Sequence, residues 1–249
     1  MIVRALVSKN RSNALLIQRS SRRFFVTAAL LVAISVFVGF SRTYYLHRWF
    51  HKPDLSLFLH AHAAVMTSWI ALFLIQTLLI PAGKTALHRK LGLLGMVSAA
   101  LVPMFGASAT IMAARREVLG HAPDIAIVSV VLALELTQML MFAGFVAAGF
   151  SLRKRADVHK RLMLLGTLCM LPNAIVRIIR VPSFIIPLTI WSLCVALVVL
   201  IDWAVQRKLH PVFARWAVLG VVTLWLALAV GVSDVWQHLA QRAVDWKMI

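Results

Sequence analysis

The sequence predicts an all-α, polytopic membrane protein of about seven transmembrane helices. Three observations predict it. Hydrophobic residues make up 61% of the 249-residue chain and mean hydropathy is +0.88, more apolar surface than a soluble core buries. Apolar stretches recur at about the 20-residue length that carries a helix across a roughly 30 Å hydrocarbon layer. The two-residue alternation of a membrane barrel is absent, and lipid offers the backbone no hydrogen-bond partners, so these stretches are helices.

In chain order the spans fall near 24–40, 57–80, 91–113, 125–150, 162–179, 184–205 and 212–232. The first follows a segment rich in Arg and Ser, with no acidic residue before Asp54. Pro81-Ala82-Gly83 separates the second from the third, Pro123-Asp124 the third from the fourth, and Pro211 opens the seventh. Such turn and helix-start residues in short connections make neighbouring spans antiparallel hairpins. The expected organisation is a basic cytoplasmic segment over 1–23, a transmembrane domain over 24–232 and a short tail over 233–249, with no soluble domain left over.

The formal net charge of +18 would point to nucleic acid in a soluble protein. Here the basic residues cluster between apolar spans, which is a topological signal. With the N-terminus inside, Arg4, Lys9, Arg11, Arg19, Arg22 and Arg23 lie in the cytoplasm. So do Lys84, Arg89 and Lys90, the Arg153-to-Arg161 run, and Arg207, Lys208 and Arg215. The prediction is N-in and C-out in a bacterial cytoplasmic membrane, with the lipid bilayer as partner and no nucleic acid. The acid-free start also fits a mitochondrial presequence, and Ser21-Arg22-Arg23-Phe24-Phe25 resembles a twin-arginine signal, but no small-residue cleavage site follows. Cys169 and Cys194 fall within spans without Cys-x-x-Cys spacing and read as small apolar packing residues.

The chain repeats itself. Leu87-His88-Arg89-Lys90-Leu91-Gly92-Leu93-Leu94-Gly95 and Val158-His159-Lys160-Arg161-Leu162-Met163-Leu164-Leu165-Gly166 match by residue or type at nearly every position. Each copy ends a hairpin, giving repeats near 57–113 and 125–180 and a pseudo-two-fold along the membrane normal. The expected core is a four-helix bundle of spans two to five. Small residues such as Gly106, Ala107, Gly144 and Gly149 permit close helix approach.

Ionisable side chains inside spans mark function or a polar bundle interior. At the inner face, symmetry brings His88 and His159 together, one from each of two helices, as bis-imidazole ligation of haem b requires. The plainer reading is that each caps its helix or joins the headgroup cations. Nearer the outer face stand His47, His51, His60 and His62. Residues two apart on a helix point about 200° from one another, so only one of His60 and His62 faces the bundle, and the pattern does not say which. His47, His60, His62 and Glu135 form a candidate zinc, copper or iron set. Glu135 is expected to pair with Arg177, with Gln138 and Asn173 beside them, and Pro172 to kink the fifth span. Asp202 is expected to pair with Arg207 or Lys208. Met104, Met112, Met139, Met141 and Met170 are soft ligands in principle and packing residues in practice.

The stretch from His60 through Leu87-His88-Arg89-Lys90-Leu91-Gly92, and again from His159-Lys160-Arg161-Leu162-Met163 to Ala174-Ile175-Val176-Arg177, resembles an uncharacterised family of bacterial multi-pass membrane proteins. The likeness covers about half of the chain. More distantly, the chain is similar to four-helix di-haem b-type cytochromes, and that resemblance implies a haem held by His88 and His159. It departs at the outer pair, where Glu135 and Gln138 stand on the fourth span and no His faces His60 or His62.

The expected functions are haem binding in electron transfer or in haem and oxidase assembly, with respiratory or redox membrane proteins as partners; non-haem metal binding; or proton-coupled transport. No nucleophile elbow, phosphate loop, His-Glu-x-x-His or dinucleotide fingerprint is present, so nothing supports catalysis.

Overall fold

The structure is a computed structural model that describes residues 2–51, 54–120 and 124–245, with side chains over 15–51, 54–115 and 124–242. Pro123 and the side chains of Arg4, Lys9 and Arg11 lie outside this description. The described residues form helices and turns and no strand. Helix α1 spans Ile2–Phe40 and ends in a π-helical turn over Ser41–Tyr45. Then follow α2 (Leu57–Leu79), α3 (Thr85–Gly120), α4 (Ile125–Ser151), α5 (Ala156–Leu168), α6 (Leu171–Ile179), α7 (Ile185–Gln206), α8 (Pro211–Gly231) and α9 (Asp234–Asp245).

Seven segments are long and apolar enough to cross a membrane, α5 and α6 together making one of them (Ala156–Ile179). The protein is therefore a multi-pass membrane protein. Leucines, isoleucines and valines exposed along α1, α3, α7 and α8 form its lipid face.

Helix ends follow local chemistry. Ser56 accepts from Leu59 N at 3.4 Å to start α2, and Asp124 from Ala126 N at 2.9 Å to start α4. His210 Nδ1 accepts from Phe213 N at 3.3 Å ahead of Pro211, which opens α8. The fifth span breaks at Cys169 and Met170, and Pro172 sits in the first turn of α6, where its missing N–H costs nothing. Two elements differ from the sequence-based outline. The basic N-terminal segment is not separate but continues into α1, because nothing in residues 2–23 breaks a helix. The C-terminal tail contains α9, an amphipathic helix whose Ala240 is buried against Val128 and Leu132 of α4 and whose Trp236 Nε1 donates to Ser129 O at 2.8 Å.

Spans two to five form the expected bundle. Trp69 of α2 donates through Nε1 to Thr167 Oγ1 of α5 at 3.3 Å and meets Phe142 of α4 edge-on at 4.8 Å. Helix α4 is the hub, packed on α3, α5 and α8. Glycines set two close approaches: a Cβ on Gly39 would stand 2.8 Å from the Ala174 backbone of α6, and one on Gly231 2.8 Å from Val130 Cα of α4. Alternating helix directions gather Arg22, Lys84, Arg89, Arg153, Arg155 and Arg207 at one end of the bundle, here termed the basic end; the opposite end is the far end.

Candidate functional site

The basic end brings His88 and His159 together, edge to face. They occupy the first turns of α3 and α5, and their rings lie 6.5 Å apart centre to centre at 87°. Each is anchored the same way. His88 Nδ1 donates to Gln76 O of α2 at 3.2 Å, and His159 Nδ1 donates to Gly149 O of α4 at 2.8 Å. Both acceptors belong to the last turn of the preceding helix, whose carbonyls have no partner within their own helix. Each imidazole thus clamps its own hairpin, and the clamp uses one nitrogen. A carbonyl only accepts, so Nδ1 carries the proton and Nε2 of each neutral ring keeps its lone pair.

Room remains beside the pair. His88, Gly92 and Gly95 share one face of α3 at helical spacing. A Cβ on Gly95 would touch Phe150 at 3.5 Å, but one on Gly92 would meet nothing within 4 Å. Gln76, whose backbone carbonyl holds His88, has its side-chain Oε1 buried without a partner. In the second copy the corresponding position is Met163, whose Sδ lies 3.0 Å from a Cβ built on Gly149.

The rest of the second motif is locked. Arg161 donates through Nε to Asp202 Oδ2 and through Nη2 to Oδ1, both at 2.9 Å, with the two side chains 3% and 1% exposed. Its Nη1 donates to Asp157 O at 2.6 Å. Lys160 Nζ and Gln206 Nε2 each donate to Ser21 Oγ at 2.9 Å, joining α5 and α7 to α1. Asp202 therefore pairs with Arg161 and not with Arg207 or Lys208: it faces inward from α7, whereas both of those basic residues are exposed beyond the helix end. This bidentate clamp escaped sequence reasoning. Its one signal was an acid within a span and no basic residue beside it on that span. The repeat is asymmetric here, because the counterpart of Arg161 is Lys90, which is exposed.

The second polar layer lies about 20 Å further along the bundle, the 14 residues from Gln76 back to His62 at about 1.5 Å each. His62 faces α3, its Nδ1 donating to Phe105 O at 3.2 Å, while His60 is exposed with its ring 5.8 Å from Tyr44. His62 is thus the bundle-facing member. His47 Nδ1 donates to Tyr44 O at 2.8 Å within its own turn. Among the described residues no three His, Cys, Asp or Glu side chains converge as metal ligands, so His47, His60, His62 and Glu135 are not brought together. The helix period turns His60 away, and the turn holds His47.

Glu135, Asn173 and Arg177 do share this layer, but Glu135 and Arg177 are not directly paired. Asn173 stands between them. Its Nδ2 donates to Glu135 Oε2 at 2.8 Å and lies 3.5 Å from Gln138 Oε1. Arg177 Nη1 turns back to Asn173 O at 2.9 Å, and the guanidinium lies over the Phe40 ring at 4.4 Å. Asn173 takes the nearer place because it is one turn closer to Glu135 on the same face of α6. Between the two layers Trp69, Phe142, Leu165 and Leu168 form an apolar septum, each at most 3% exposed.

Comparison with family models, curated proteins and solved structures finds no match. A shallow groove of about 150 Å³ between α4 and α8, lined by Met141, Gly144, Phe145, Trp216 and Gly220 among others, holds no ionisable group and belongs to the lipid face.

Proposed function

We propose that this protein is a haem-binding electron carrier of the bacterial cytoplasmic membrane, its basic end in the cytoplasm and His88 and His159 the residues that would hold the haem. The observation that carries the reading is the facing pair of imidazoles 6.5 Å apart, each tied at Nδ1 and free at Nε2. Two imidazoles sharing one metal stand about 6 Å apart centre to centre, about 2 Å from metal to each nitrogen plus a ring radius on either side. On the same helix face as His88, a Cβ on Gly92 would meet no atom within 4 Å, so no side chain of the protein crowds that position.

When bound, haem would supply a one-electron carrier. The chain's own contributions are distinct. The Nδ1 hydrogen bonds to Gln76 O and Gly149 O fix each ring's tautomer and orientation and raise the basicity of Nε2. Val158 and Leu162, both fully buried, exclude water from the bundle side of His159. The two rings are themselves half-buried, which leaves an approach from the cytoplasm for a redox partner, with the surrounding cations favouring an acidic one.

The test is the absorption spectrum of detergent-purified protein from haem-replete cells, oxidised and dithionite-reduced, beside His88→Ala and His159→Ala. A b-type spectrum in the natural chain, lost in both variants while their helical circular dichroism is kept, is the expected result. Protein without Soret absorption, or with a spectrum indifferent to both substitutions, overturns the reading.

A further inference from the structure

We propose that Glu135 is a proton-carrying group loaded from the far side of the membrane, whatever the histidine pair at the basic end holds. Helices α2, α4 and α6 bring His62, Glu135, Gln138, Asn173 and Arg177 to one layer in the hydrocarbon region, with Phe40 of α1 beneath the Arg177 guanidinium.

The chain treats its two intramembrane acids differently. Asp202 is gripped through both of its oxygens by the Arg161 guanidinium at 2.9 Å. Among the described residues Glu135 forms no ion pair within 4.0 Å, whereas Asp202 pairs with Arg161 and Asp157 with His210. The side-chain hydrogen-bond partner of Glu135 is the Asn173 amide, which Gln138 Oε1 in turn contacts at 3.5 Å. An amide has a donor and an acceptor end, so the Asn173 side chain serves a carboxylate with N–H and a carboxylic acid with C=O after a half-turn. A carboxyl in lipid with amide neighbours can therefore take and release a proton without leaving a buried partner unsatisfied.

Access is one-sided. Glu135, Asn173, Arg177 and His62 each keep part of their surface open. Gln138 closes the layer at 3% exposed, and the Trp69–Phe142 septum lies beneath. Arg177, one turn further out on α6, sits between Asn173 and the far rim, where its charge disfavours metal cations. The charged group that reaches Glu135 is Arg177 of α6, which also acts on His62 of α2 across the layer. Helices α3 and α8 bring none to this depth, α5 ends in the buried Cys169, Arg42 lies over Phe50 and Tyr44 beside His60, the Tyr45 hydroxyl is engaged by Thr67 Oγ1 at 2.8 Å, and Asp234, His238 and Arg242 belong to α9 at the far end.

The experiment uses dicyclohexylcarbodiimide, which enters lipid and adds to protonated carboxyl groups. The full-length protein is reconstituted in one orientation into liposomes buffered separately inside and out, then analysed by peptide mass spectrometry. The expected result is an adduct on Glu135 and none on Asp202. Its rate should fall at least about tenfold as far-side pH is raised from 6 to 8, stay unchanged when only basic-side pH is raised, and vanish in Glu135→Gln. Absence of the Glu135 adduct, equal labelling of Asp202, or a rate that follows basic-side pH overturns the proposal. The natural chain alone decides it, so a variant that fails to fold does not obscure the outcome.

Discussion

Asp202 shows how much one buried carboxylate holds together. Removing it leaves the Arg161 guanidinium buried without its counter-charge, a loss of about 3–5 kcal/mol. Asp202→Ala should therefore unfold at a clearly lower temperature in detergent, whereas Lys90→Ala, at the equivalent exposed position of the first repeat, should change stability by less than about 0.5 kcal/mol. Comparable melting of the two variants would deny the clamp its role. Sequence reasoning singled out Asp202 as a polar residue within a span but assigned it to the nearest cations along the chain. The true partner is 41 residues earlier, and only packing decides which face of α7 meets α5. The choice between His60 and His62 has the same origin: the helix period separates them by half a turn, and the orientation of α2 against α3 then selects His62. His88 and His159 were legible because the repeat itself implied their meeting.

At the scale of elements, the spans were readable and their ends were not. Apolar length identifies the lipid-crossing part of a helix, but polar turns continue α1 back to Ile2 and α3 on to Gly120, beyond anything hydropathy marks. The break in the fifth span was readable from Pro172. The tight contact between α1 and α6 was not, because a glycine shows its packing role only when its neighbour is known. Gly39→Ala would drive a methyl group against the Ala174 backbone, which cannot swing aside as a side chain could. The expected cost is about 1–3 kcal/mol of overpacking. It should show as a lower thermal midpoint, with Gly83→Ala as the comparison: no atom lies within 4 Å of a Cβ there, and its penalty comes from φ +74° alone.

For the whole molecule, seven segments able to cross a membrane put the described N- and C-terminal helices at opposite ends of the bundle, and the orientation proposed above, with the basic end toward the cytoplasm, follows from the concentration of cations there. A membrane-impermeant maleimide should label Asp234→Cys in intact cells and Ser151→Cys only after the membrane is opened. The reverse pattern would invert the orientation and turn the far layer toward the cytoplasm. Two polar layers about 20 Å apart, separated by an apolar septum, also imply that no continuous aqueous path crosses the bundle. The Arg161–Asp202 link has a consequence for biosynthesis as well. Chains enter the membrane from the N-terminus, so α5 arrives carrying a guanidinium whose counter-charge has yet to be translated. The helix bearing His159 can be secured only when α7 follows, and completion of the basic-end histidine pair is thereby timed to the insertion of a helix that contributes nothing to the pair itself.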